Sequence, residues 1–118
     1  MKTSELTGAA LDWAVAKCEG AYTQSVDTDI DGTIRINYGG MYPEWSTDWA
    51  QGGPIIEQER LLIQPEIGKE GMGNAWYAVS MKDTDSYGPT PLIAAMRCYV
   101  ASKLGDDVTL PPELEQTA

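Results

Sequence analysis

Apolar positions recur with a helical period near both ends of the chain and with a strand period between them. Leu11, Ala14, Val15 and Cys18 fall at i, i+3, i+4 and i+7, preceded by Thr7 as an N-cap and followed by Gly20, suited to a left-handed C-terminal residue. This pattern predicts a helix over about residues 8 to 19, with Trp13 at the rim of the core. Farther on, Ile93, Met96, Val100 and Leu104 share one face, Thr90 precedes Pro91 at the first helical position, and Lys103 and Gly105 mark the end. A second helix is expected over about residues 91 to 104.

The intervening strands and long loops occupy about residues 22 to 82. Thr33 to Tyr38 alternates β-branched and polar residues, which puts Ile34 and Ile36 on one face of a strand that Gly39-Gly40 ends. Tyr22 to Val26 suits a short strand, and Ala75 to Met81 a strand with both faces partly apolar, as near the middle of a sheet. Met41 to Pro54 has no period and reads as a long loop; Ile55 to Ile63 reads as strand, charged connection and strand; Pro65 to Asn74 reads as another loop. In the tail, Val108 and Leu110 suit an edge, and Pro111 to Leu114 a single helical turn. The fold class that follows is α+β, a mostly antiparallel sheet packed by two α-helices, in one small domain over residues 1–118.

Composition narrows the chemistry. A chain that is 42% hydrophobic and 22% charged is an ordinary globular one. No apolar run approaches the ~20 residues of a membrane span, and Met1-Lys2-Thr3 leads into no signal-peptide core, so no membrane association and a cytoplasmic address are expected. The chain has no histidine, which removes Ser-His and Cys-His catalysis and the usual zinc sites. Cys18 and Cys98 fit reduced core thiols. A net charge of −10, with eight scattered Lys and Arg, opposes DNA or RNA as a partner. No cofactor and no resident metal is expected.

The richest segment is Ser46 to Glu57. Trp49 offers a flat π face for a base or sugar, with Trp45 beside it; Ser46, Thr47, Asp48 and Gln51 bring donors and acceptors, and Gly52-Gly53 allow close backbone approach. The bland alternative is a Trp plugging the core beneath a loop whose polar groups make local turns. All the large aromatics are Trp or Tyr, each with a polar handle, because the chain has no Phe. Ser86-Tyr87-Gly88-Pro89-Thr90-Pro91 opens the second helix, where Tyr87, the Thr90 helix start and Arg97 suit an anionic group, although Thr90 also suits a plain cap. Asp27, Asp29, Asp31 and Gly32 reproduce the first half of a calcium loop, but Arg35 and Tyr38 stand where later ligands belong, so an acidic turn entering a strand is expected. Glu57 and Glu59, on one strand face beside Arg60, read as solvated surface charge rather than an acid–base pair.

Three stretches, Leu6 to Lys17, Ser46 to Glu57 and Gly88 to Arg97, resemble the NinX-like family of small tailed-phage proteins over most of the chain. The resemblance carries no catalytic residues. It implies a phage accessory protein working in the cytoplasm of an infected bacterium, a context in which small acidic proteins commonly counter host defence. The leading expectation is a non-enzymatic binder of a small nucleotide-derived ligand such as an immune signal. The alternatives are an acidic inhibitor of a host protein and a carboxylate- or metal-dependent nucleotide hydrolase. A homodimer or higher homo-oligomer is expected, since sequestering proteins of this size often build their pockets between subunits.

Overall fold

The computed structural model describes residues 1–66 and 75–115. After a 3-10 turn at Thr3–Glu5 come α1 (Gly8–Glu19), β1 (Gln24–Thr28) and β2 (Ile34–Tyr38), then α2 (Trp49–Glu59). β3 (Leu62–Pro65), β4 (Trp76–Val79) and β5 (Asp85–Gly88) lead into α3 (Pro91–Leu104) and a last turn, α4 (Pro112–Glu115). The class is α+β as expected, but the strands form two antiparallel sheets, a β1–β2 hairpin and a β3–β4–β5 meander. The loop expected over 65 to 74 lies largely outside the described residues.

α3 has the predicted bounds and is capped as its sequence asks. Thr90 Oγ1 accepts the Ile93 N–H at 3.1 Å, and Pro91 sits in the first turn, where its missing N–H costs nothing. Its burial differs from a one-face helix, for every residue from Ala94 to Val100 is buried. α3 touches β3, β4, β5, α1, α2 and the 3-10 turn, so its middle, Ala94 to Val100, has no face left for water. Arg97 is buried inside this shell, with Nε donating to the Leu6 carbonyl at 2.8 Å and Nη1 to the Tyr87 carbonyl at 2.9 Å.

α1 also keeps its predicted bounds and ends at Gly20 in the left-handed region (φ 63°). Thr7 occupies the N-cap position without a side-chain hydrogen bond, so the cap itself is absent. The hairpin packs against α1, with Ile36 buried and Ile34 partly buried on one face as the alternation predicts. β1 begins two residues later than expected, at Gln24. Val108 and Leu110 are buried, and the Val108 N–H donates to the Met1 carbonyl at 2.8 Å, which ties the tail to the start of the chain.

The largest correction concerns residues 49–59, expected as the end of a loop, the start of a strand and a charged connection. They form α2, although Gly52, Gly53 and Pro54 are among the poorest helix residues. Tertiary contact outweighs propensity here. Asp48 caps the helix through the Ala50 N–H, and Arg60 ends it in the left-handed region. Gly52 lies so close to α3 and the preceding loop that an added Cβ would stand 2.5 Å from both Leu92 Cδ1 and the Trp45 carbonyl oxygen. A side chain at that position would push α2 off the core, while Gly53 faces open space.

Two neighbouring glycines should therefore respond in opposite directions. Gly52→Ala is expected to lose about 1–3 kcal/mol by overpacking, whereas Gly53→Ala should gain about 0.5–1 kcal/mol from helix propensity, as read by urea denaturation.

Candidate functional site

The site grows from one buried acid. Asp12 stands in the second turn of α1 with 5% of its surface exposed, and its Oδ1 accepts the Ser46 N–H at 2.8 Å. Burial pushes its carboxyl up to about 6 from the ordinary 3.8; the Ser46 N–H opposes that shift and nearby Glu44 adds to it. The Ser46 hydroxyl is close enough to ease ionisation, but it lacks hydrogen-bond geometry to the carboxylate and has no other partner. No second hydrogen bond reaches Asp12 from the described residues.

Asp12 thus holds down the segment that leads into α2, and that segment braces itself. The Glu44 carbonyl accepts the Thr47 and Asp48 N–H groups at 3.1 and 2.9 Å. Asp48 accepts from the Ala50 N–H through Oδ1 (2.9 Å) and from Gln51 Nε2 through Oδ2 (3.0 Å), while Gln51 Oε1 accepts the Glu44 N–H at 2.7 Å. Asp48 and Gln51, expected as recognition groups, are bound to each other and to the backbone.

Two clefts flank this braced segment, and Thr47 lines both. The first, about 200 Å³, lies between Ser46, Thr47 and Trp49 on one side and Thr90, Leu92 and Ile93 on the other. It brings together two stretches that the sequence offered separately, the Trp49 segment and the start of α3. Trp49 is 55% exposed, so its indole is open to a ligand. The second cleft, about 240 Å³, has Asp12, Gly8 and Ala9 of α1 on one wall and Ile34, Arg35 and Ile36 of β2 on another. Tyr42, Pro43 and Glu44 close it. Arg35 lies over the Tyr42 ring at 5.9 Å and pairs with Asp29 at 3.1 Å.

The remaining expected site residues lie elsewhere. Trp45 is buried edge-on against Tyr38, with centroids 5.5 Å apart, so it serves the core rather than a stacking surface. Gly52 gives its close approach to Leu92, not to a ligand. Tyr87 packs its ring on Tyr77 at 5.1 Å, and Arg97 is engaged by two carbonyls two turns from the helix start. The acids of the calcium-like turn diverge: Asp27 accepts from Asn37 and Tyr42, Asp29 pairs with Arg35, and Asp31 accepts the Thr33 N–H. Glu57 and Glu59 lie on α2 instead of a strand, and Glu59 pairs with Lys103 at 3.3 Å. Among the described residues no three His, Cys, Asp or Glu side chains converge on a metal position.

Sequence reading missed Asp12. Its signal was an acid set between Leu11 and Trp13 in an otherwise apolar run, a place where a carboxylate is retained only with a partner or a purpose.

A family model described as bacteriophage P22 NinX matches residues 2–103, and the chain belongs to that family. No curated protein matches the chain. Among the described residues no helix is long and apolar enough to cross a membrane.

An acid whose folded pKa is raised binds its proton more tightly in the folded state, so its contribution to stability is greatest below 3.8 and is lost as pH rises through about 6. At neutral pH an ionised Asp12 then costs about 2–3 kcal/mol. Asp12→Asn keeps an acceptor for the Ser46 N–H and should unfold at higher urea than the wild type at pH 7.5. That advantage should shrink as both proteins are titrated toward pH 4.

Proposed function

We propose that this member of the NinX family is a phage accessory protein that binds and sequesters a small nucleotide-derived molecule, such as a host immune signal, in the cytoplasm of the infected cell and without changing it. The observation that supports this reading is the meeting of an open indole with a helix start across one cleft. Trp49 supplies a stacking face for a base or sugar. At the opposite wall Pro91 has no N–H and Thr90 has taken that of Ile93, which leaves the Leu92 N–H and the positive end of α3 toward a phosphate. The hydroxyl side chains of Thr47 and Thr90 flank the same space.

Binding is favoured over chemistry because the side chains lining the Trp49 cleft are hydroxyls, aliphatics and the indole, with no carboxylate, Lys or Tyr among them. A cleft of about 200 Å³ falls below the ~300–1,000 Å³ usual for small-molecule sites and leaves part of a nucleotide uncovered. A second copy of the chain closing over the exposed indole would supply the missing wall, and a homodimer belongs to this proposal.

Chromatography of a nucleotide panel, including cyclic dinucleotides and ADP-ribose derivatives, tests it directly. A compound depleted on mixing and recovered intact after heat denaturation is the expected result, and recovery as a different product would make the protein an enzyme. Trp49→Ala, which removes an exposed side chain, should keep its fold and weaken retention about tenfold or more. Full retention by that variant would remove Trp49 from the site.

A further inference from the structure

The second cleft has no part in the reading above, yet its chemistry is more selective. The most buried polar side chain in its lining is Asp12, a carboxylate with a single hydrogen bond from the described residues. Each carboxylate oxygen has two lone pairs, so Asp12 retains acceptor capacity on both oxygens after Ser46 N–H has taken its share. Burying such a group with acceptor capacity unused is unfavourable, and ligand N–H donors would take up what the Ser46 N–H and the neighbouring Ser46 hydroxyl leave open. The walls suit a flat ring: Ile34, Ile36 and Pro43 are apolar, and Tyr42 adds an aromatic side. Glu44 is a further acceptor on the same wall, and Arg35 is already paired with Asp29.

The ligand must therefore be planar and present adjacent donors at its inner edge. Among the nucleobases guanine alone does so, through its ring N1–H and exocyclic 2-amino group. Adenine and cytosine place a lone pair beside their amino group, which would oppose the carboxylate. Uracil flanks its one N–H with carbonyls. The acids of this cleft repel phosphate, and the cleft across Thr47, at the start of α3, suits it.

We infer that the cleft between α1 and β2 is the base-recognition half of the site, in which Asp12 takes the N1–H and 2-amino donors of a guanine nucleotide. The inference rests on the proposed nucleotide binding and deepens it from a nucleotide-derived ligand to a guanine-containing one. Asp12 is then the specificity residue, and its unfavourable ionisation in the free protein is relieved when guanine occupies the cleft.

Calorimetric titration with GMP, IMP, AMP and XMP separates the possibilities. GMP should bind the wild type, with IMP, which lacks the 2-amino group, at least about tenfold weaker, and AMP weaker still. Xanthine presents N1–H beside a carbonyl, which matches the acceptor and donor of an asparagine. Asp12→Asn should therefore reverse the preference, binding XMP more tightly than GMP, a swap that a merely structural role would not produce. Equal affinity for GMP and IMP, or unchanged GMP binding by Asp12→Asn, would overturn the assignment. If GMP and AMP bind alike and Trp49→Ala weakens both, the Trp49 cleft stands and the guanine assignment fails. If no nucleotide binds, both fall; binding of agmatine alone would mean that the cleft takes a guanidinium and would equally overturn the guanine assignment.

Discussion

The enclosure of the middle of α3, Ala94 to Val100, is the constraint on which the rest of the structure depends. A helical segment buried on every side must bring its own satisfaction for any polar group it carries, and Arg97 does this by reaching carbonyls in two different segments, Leu6 and Tyr87. Those bonds fix the lead into α1 and the exit of β5 relative to the central helix. Elsewhere, closeness is made possible by missing side chains. A Cβ at Gly88 would meet the Ala94 N at 2.6 Å, so β5 lies almost on the backbone of α3, as α2 does through Gly52. Lys103 to Glu59 and the Tyr99 hydroxyl to Glu19, at 2.6 Å, then pin the far ends of α2 and α1 to the same helix.

Asp12 plays the complementary part at the edge of that core. Its bond to the Ser46 N–H ties α1 to the braced segment before α2, and that segment forms the ridge between the clefts. An Asn or Ser could accept the same N–H without the penalty of an ionised carboxyl at neutral pH. A nearly buried carboxylate that also lines a cleft is a candidate for recognition on physical grounds.

The hairpin makes the other wall and owes its position to aromatic packing. Tyr22, Tyr38 and Trp45 stack edge-on in sequence, with centroids 5.2 and 5.5 Å apart, and the Tyr38 hydroxyl accepts the Ala21 N–H at 2.8 Å. Gly39 turns in the left-handed region directly against the Tyr22 ring, where any side chain would collide. The indole of Trp45 is thereby committed inward, leaving Trp49, one turn of backbone later, as the one facing water.

Residue spacing along the chain was enough to place α1, α3, the Ile34–Ile36 face of β2, the Gly20 terminus and the Thr90 cap, because each rests on spacing and on hydrogen bonds between near neighbours. The sequence also identified the family, and it marked Trp49 and Thr90 as residues of interest. That Gly52, Gly53 and Pro54 belong to a helix follows from long-range packing alone, since the contact that holds them lies with Leu92, forty residues away in the chain. Such packing likewise decided that Trp49 and Thr90 share a cleft, that Trp45 and Arg97 serve the core, and that Asp12 is buried beneath Ser46. Local pattern records what a residue prefers for its own backbone. What a side chain faces is set by segments distant in sequence, which enclose Arg97 and Asp12 and leave Trp49 open.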